Sequence, residues 1–503
     1  MFTINHLRIE TLKGRILLED FCFTLNPGDK IALIGEEGNG KSTLLKILAG
    51  IDVTDYVRWS GSVYTDEKVA YMPQSLSEEE LKTGILDYID GTDPDYGELY
   101  SLAVDLQIDP SLFGNERKMK SLSGGEKVKI ALLKLLYEKP DILLLDEPTN
   151  DLDLKTLIFL EEFIRRCRQS VLFISHDESL LQNCGTGILH LEQLKRKSEA
   201  RISFSGENYA EYSAHRRQQI DRTNQIAAKE KAQLHKQMEK YRQIYQKVDH
   251  AQKTISRQDP HGGQLLKKKM HAVKALEKNL EIKKERMTKK YEPEEAINIF
   301  FEPIQTNPQR IVLDYHWDTL TAGDKTLSRE ISLAVKGRDK IVIIGDNGCG
   351  KSTLLKEIRD VLKANESLNV AYMPQNYEDI LDYQMTPLDF LSTFENRVKA
   401  GLMLGALKYT SEEMNHTIAG LSQGQRCKLL IASLILQKAE VLLLDEPTRN
   451  LSPLSNPEVR KILKEYQGCI ISVSHDRAFI DDVAEKVYML DREGLHLIDD
   501  TTK

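Results

Sequence analysis

At 503 residues the chain is longer than one hydrophobic core usually organises, so two domains of ordinary size and a connector are expected. It is 41% hydrophobic and 29% charged, yet no apolar run approaches the ~18 residues that a membrane-crossing helix needs, and MFTINHLRIE at the start lacks a secretory pattern. Six scattered cysteines with no CxxC pair fit a reducing cytoplasm and argue against a zinc or disulfide framework.

In chain order, Lys30–Gly35 reads as a strand that runs into GEEGNGKST, residues 35–43, and Ser42–Ala49 as the helix leaving it. This is the phosphate-loop pattern GxxxxGK[ST]. Glycines let the backbone turn its N–H groups onto a triphosphate, and the following helix adds its positive end. Gly35, Gly38, Asn39, Gly40 and Thr43 form the cradle, Lys41 reaches the β- and γ-phosphates, and Ser42 ligates Mg²⁺. Gln74 lies in an AYMPQ segment, where it can meet Mg²⁺ and the attacking water. Ser123, Gly124 and Gly125 of LSGGE open a helix, which makes an anion site. Ile142–Asp146 and Val171–Ser175 read as buried parallel strands. Asp146 is placed to hold Mg²⁺ through water, Glu147 to polarise the attacking water, and His176 to sense the γ-phosphate.

Every one of these features recurs. The second phosphate loop, GDNGCGKST, supplies Gly345, Gly348, Gly350, Lys351, Ser352 and Thr353. Gln375, then Ser422 and Gly424 of LSQGQ, then Asp445, Glu446 and His475 follow in the same order. The strands Lys340–Gly345, Val441–Asp445 and Cys469–Ser474 and the helix Ser352–Ile358 repeat the first set. Each histidine stands 29 residues after its glutamate, a coincidence that a lone structural histidine would not produce. Strands alternating with helices predict doubly wound α/β domains, here residues 1–205 and 293–503.

Residues 206–292 are of another kind. Glu207–Glu292 holds 21 Lys/Arg against 11 Asp/Glu. It thus carries about +10, and the remainder of this chain of net charge −8 about −18. Leu234, Met238, Tyr241, Tyr245, Val248 and Ile255 step by 4, 3, 4, 3 and 7, a heptad seam with Gln252 in one slot. After a Pro/Gly break, Leu266, Met270, Val273, Leu276 and Leu280 resume the spacing. The pattern predicts an antiparallel helical hairpin with its tip at about 256–264 and a return helix projecting roughly 40 Å. Pro293, Pro303 and Pro308 mark an extended return. A basic segment on an acidic chain suggests a polyanionic partner.

Phosphate loop, Gln segment, LSGG(E/Q), LLLDEPT and switch histidine, in order and twice, resemble the ATP-binding-cassette (ABC) ATPases. Tandem cassettes joined by a basic hairpin with no membrane segment resemble their ABC-F subfamily, as does DPHGGQLLKKKMHAVKALEKNLE, Asp259–Glu281. That resemblance implies two cassettes closing head-to-tail on two ATPs, with Lys41 facing Ser422 and Gly424, and Lys351 facing Ser123 and Gly125. It implies a cytoplasmic monomer whose cassettes pair within the chain. The ribosome is the implied partner, near its tRNA exit site, with the hairpin reaching rRNA and tRNA. Members act as housekeeping translation factors or protect ribosomes from antibiotics.

Four departures stand out. Gln423 replaces the usual signature glycine. Asn150-Asp151-Leu152-Asp153 follows the first DEPT, but Arg449-Asn450-Leu451-Ser452 follows the second, so the two sites should differ in turnover. Leu12 and Ala322 stand where an adenine-stacking aromatic is usual. The first module has no long arm between Gln74 and Leu122 and the chain no long C-terminal extension, which suits compact resistance-type members better. Two other classes stay open: the ATP-binding subunit of a transporter with separate membrane chains, and a DNA-repair or chromosome ATPase. The former has no need of a basic hairpin; the latter inserts its coiled coil within one cassette.

Overall fold

The computed structural model describes residues 1–498 apart from 90–94, 115–116, 151, 195–198, 255–259, 292, 294–296, 298, 305, 324 and 366. The chain divides into two compact units, Met1–Ala210 with Glu294–Lys503, and Glu211–Pro293. Both cassettes therefore belong to one unit. Among the described residues no helix is long and apolar enough to cross a membrane.

In the first cassette β1 (Phe2–Thr11), β2 (Ile16–Leu25) and β4 (Val57–Tyr64) form an antiparallel sheet in the order β2-β1-β4. A second sheet is built from β3 (Lys30–Ile34), β5 (Val69–Met72), β6 (Ile142–Asp146), β7 (Ser170–Ile174), β8 (Gly187–Gln193) and β9 (Glu199–Ser205). Its order is β5-β6-β7-β3-β8-β9, parallel except for the last pair. Strands β3, β6, β7 and β8 are buried along their whole length. That burial is why β3, β6 and β7 read as largely apolar runs rather than alternating ones, whereas β8 ends in the buried polar residues His190, Glu192 and Gln193. Helices α1 (Lys41–Leu48), α2 (Gly124–Tyr137), α3 (Leu154–Arg166) and α4 (Glu178–Cys184) carry the functional segments.

Two helices follow, α5 (Tyr209–Thr254) and α6 (Pro260–Arg286). Gln237 bonds Lys283, the Thr288 amide donates to Glu230 at 2.7 Å, and the Tyr291 amide donates to Asn224 at 2.9 Å. One partner number rises as the other falls, so the helices run antiparallel. Their seam buries Leu234, Tyr241, Val248, Val273 and Leu280, with Met238 and Met270 packed against it. The seam position Ile255 and the break residues Ser256–Asp259 lie outside the described residues. The described helix α6 begins at Pro260, within the 256–264 expected for the tip. Proline suits the first helical position, where its missing N–H and fixed φ carry no penalty, and it starts this helix instead of breaking it. Leu280→Ala should destabilise Glu211–Pro293 by about 3 kcal/mol. Hydrogen exchange along Met238–Val248 would then quicken, with ATP turnover unchanged.

The second cassette repeats the first. β10 (Ile311–Ala322) and β11 (Lys325–Lys336) pair antiparallel. β12 (Lys340–Ile344), β13 (Val370–Met373), β14 (Val441–Asp445), β15 (Cys469–Val473), β16 (Lys486–Leu490) and β17 (Leu495–Ile498) form a sheet in the order β13-β14-β15-β12-β16-β17. Its helices are α7 (Lys351–Lys363), α8 (Gln423–Leu436), α9 (Asn456–Glu465) and α10 (Arg477–Val483). Among its described residues the proline-marked return makes no regular element, but it is anchored: Ile297 and Ile299 enter the core of the second cassette with Phe301 and Ile304 against them.

Candidate nucleotide sites

Strands β3 and β12 deliver the two phosphate loops at their C-terminal ends, and the loops open α1 and α7. Gly40 and Gly350 cap these helices in the left-handed region, at φ 93 and 111. Gly35 and Gly345, at φ 147 and 153, pass so close to the carbonyl oxygens of Leu191 and Leu490 that a Cβ would collide with them. Gly38 and Gly348 are also left-handed, but a Cβ at either would meet no neighbour. Asn39 is fully buried and donates to Leu191 O at 3.2 Å. Lys41 Nζ donates back to Gly35 O and Glu36 O at 2.8 and 3.2 Å; Lys351 Nζ does the same to Gly345 O and Asp346 O at 2.9 and 3.0 Å. Both ammonium groups thus lie over the mouths of their loops. Thr43 and Thr353 fall in the first turns of α1 and α7.

Beside the first loop, Ser42 Oγ and Tyr71 OH each donate to Asp146 at 3.0 Å, and burial holds its carboxyl above the ordinary aspartate range. In the second, both Asp445 oxygens are buried without a well-formed hydrogen bond, with the Ser352 hydroxyl beside them. A buried carboxylate with unmatched lone pairs is costly on its own. Together with a hydroxyl it is the oxygen donor set of a hard divalent cation, so these residues fit Mg²⁺.

The two glutamates sit in different surroundings. Both adopt positive φ, 50 at Glu147 and 52 at Glu446. This is a conformation non-glycine residues hold only where the fold imposes it, often at working sites. Here the Glu147 and Glu446 amides donate to Ile174 O and Val473 O at 3.1 and 2.9 Å. The Glu147 carboxylate meets three donors: Gln74 Nε2 at 2.7 Å, Asn150 Nδ2 at 2.9 Å and His176 Nε2 at 3.0 Å. His176 Nδ1 lies 2.7 Å from Leu451 O. Both ring nitrogens face acceptors, so both carry a proton. Burial disfavours charge on each partner, but the pairing outweighs it: the histidine is raised and Glu147 drops to about 2.

Among the described residues Glu446, by contrast, has only long contacts, from Ser474 Oγ at 3.4 Å and the His475 amide at 3.3 Å. Burial, then Asp445 beside it, push it up to about 7, while burial and Lys351 bring His475 down to about 4. Glu446, His475, Gln375, Lys351, Ser352 and Asp445 line a cavity of about 410 Å³. Ala322 lines it too, whereas Leu12 is exposed.

Each cassette meets the other's signature. Ser123 and Ser422 cap α2 and α8, accepting from the amides of Glu126 at 3.3 Å and Gln425 at 3.2 Å. Gly124 is the first residue of α2. Ser123 and Gly125 share a cavity of about 300 Å³ with Asn347 of the second loop. On the other side the Gly424 amide donates to Glu37, and Glu36 pairs with Lys428 at 2.7 Å. Lys155 pairs with Asp346 at 2.9 Å. Away from the loops, Arg460 bonds Glu178 at 2.5 and 3.1 Å, and Arg477 bonds Glu161. Glu36, Glu37, Lys428, Tyr71 and the two arginines were missed from sequence. The acidic pair Glu36-Glu37 was the visible signal, against Asp346-Asn347 in the other loop.

Two copies of one nucleotide-binding module that complete each other's sites define a tandem cassette ATPase. The family model described as "ABC transporter" matches residues 18–150 and 328–449. Ribosome protection protein VmlR of Bacillus subtilis is 29% identical, over 98% of this chain and 87% of its own. The energy-dependent translational throttle protein EttA of Escherichia coli is 27% identical, over 98% and 93%. Among solved structures, the archaeal ribosome recycling factor aABCE1, in complex with the ribosomal stalk protein aP1, superposes with a TM-score of 0.62. It has 19% identity and covers 98% of this chain and 89% of that one, a likeness of fold. The chain belongs to the ABC transporter family and, within it, to the ABC-F branch. It binds ATP and is an ATPase.

Proposed function

We propose that the chain is a cytoplasmic, ribosome-associated ATPase, monomeric, with its cassettes paired within the chain. It acts at the tRNA exit site, and its basic hairpin, residues 206–292, meets rRNA and tRNA. The observation that carries this reading is the hairpin itself, which holds 21 Lys/Arg against 11 Asp/Glu over Glu207–Glu292 and separates two complete cassettes. A transporter subunit gains nothing from such an element. The names of VmlR and EttA, a ribosome protection protein and a translational throttle, support it, and the likeness to VmlR favours antibiotic protection over housekeeping.

In this reading Lys41 and Lys351 leave their backbone carbonyls for the phosphates, and Glu147 and Glu446 accept the proton of the attacking water. His176 and His475 report the γ-phosphate. Ser42, Gln74 and Asp146, and Ser352, Gln375 and Asp445, hold Mg²⁺, which when bound neutralises charge on the β- and γ-phosphates. Closure of the cassettes sets the hairpin and hydrolysis releases it.

Glu147→Gln combined with Glu446→Gln should co-sediment with ribosomes in ATP more fully than the unaltered chain. Equal retention would remove the reading's main support. Binding should also weaken steeply between 50 and 200 mM salt, as phosphate contacts require.

A further inference from the structure

We propose that Glu36 and Glu37 decide which of the two sites answers to the γ-phosphate. Glu37 supplies its own carboxylate to the N-terminus of α8, and Glu36 ties the same loop into the second cassette. The Lys41 half of the interface is thus held by protein groups, and nucleotide opens and closes the Lys351 half. This rests on the ATPase assignment and not on the ribosome.

The first backbone amides of a helix have no partner within it and attract an anion. At α8 the Gly424 amide has one, the Glu37 carboxylate. A Cβ on Gly424 would lie 3.2 Å from that oxygen and 2.8 Å from Asn450 O, so only glycine admits the approach. Glu36 is matched on both oxygens: one faces Lys428 at 2.7 Å, and the other accepts from the hydroxyls of Ser452 and Ser455. Lys428 and Glu36 are both shielded, their side chains 9% and 13% exposed. Burial acts to raise the Glu36 carboxyl, but Lys428 and the hydroxyls hold it at about 2.

The other half is built differently among the described residues. Counting from the strand-end aspartates, Lys129 corresponds to Lys428 and Asp153 to Ser452. Lys129 lies over the Phe159 ring and bonds Gln107 O at 3.1 Å. Asp153 faces the Asn347 backbone, and the only carboxylate of that loop, Asp346, makes a pair with Lys155 whose side chains are 62% and 79% exposed. The two loops match at their first position, Glu36 and Asp346, and differ in charge at the second, Glu37 and Asn347. Across the interface Asp153 faces Asn347, whereas Ser452 faces Glu36. An aspartate at 452 would repel Glu36, and serine donates to it. Ser452 is a complement to Glu36, not a decayed residue. Two carboxylates in the Lys41 loop also oppose a triphosphate electrostatically.

The test begins with the unaltered full chain. Hydrogen exchange without nucleotide should find the α8 N-terminus, Leu421–Lys428, protected and little changed by ATP. The α2 N-terminus, Leu122–Lys129, should gain at least tenfold protection on adding ATP. Like behaviour of the two segments overturns the proposal. In a Lys351→Ala background, binding of fluorescent ATP and ADP analogues reads the Lys41 site alone. Glu37→Gln, and Glu36→Asp with Glu37→Asn, should raise its preference for ATP over ADP at least tenfold. An unchanged preference in folded variants, or a strong one already present before substitution, also overturns it.

Discussion

Glu446→Gln is expected to lower steady-state ATP turnover roughly 10²- to 10⁴-fold, the range for losing a general base, whereas Glu147→Gln costs far less, about threefold or under. The difference follows from what each carboxylate already touches. Glu147 is engaged by Gln74, Asn150 and His176, which itself is held by Leu451 of the other cassette. Three of its roughly four lone-pair sites are taken, so it is held away from an attacking water until that cluster rearranges. Glu446 has two long contacts and lines the 410 Å³ cavity with Lys351, Ser352 and Gln375. A phosphate-release assay on the two single variants decides it; equal losses would show that the Glu147 cluster rearranges in every cycle.

The second large effect concerns the ion pairs away from the loops. Arg460 is buried, with its guanidinium against both oxygens of Glu178 and its Nε 2.7 Å from Asp482. Arg477 holds Glu161 and Asp177. Removing one partner of such a buried pair leaves the other charge without a counter-ion. Arg460→Glu should therefore destabilise the paired cassettes by about 4 kcal/mol, seen as a lower urea midpoint. Adding Glu178→Arg should restore at least half of the loss, although Asp482 and Arg477 remain as they were. No recovery would mean that the pair contributes through packing and not through charge.

Much of this molecule was legible in its sequence because the signals are local. A buried parallel strand such as Ile142–Asp146 must be apolar throughout, and a loop that wraps phosphate must place its glycines at fixed intervals. The heptad seam was visible for the same reason, and Leu234, Tyr241 and Val248 are indeed its buried positions. What escaped was set by distant partners. Glu37 and Gly424 are 387 residues apart, and Glu178 and Arg460 282. No window along the chain shows that Ser452 answers Glu36. The helix start at Pro260 was misjudged because Pro beside two glycines reads as a turn, although proline is also a good first helical residue.

Glu161 and Arg460 each stand fifteen residues after their strand-end aspartate, and Glu178 and Arg477 each thirty-two. The same two positions are acidic in one half and basic in the other. A first half offered to the first half of another molecule would set acid against acid at both places, and two second halves would set base against base. The duplication has become a pair of mutually addressed parts. Expressed as separate polypeptides, the halves should assemble one to one, and neither should pair with itself.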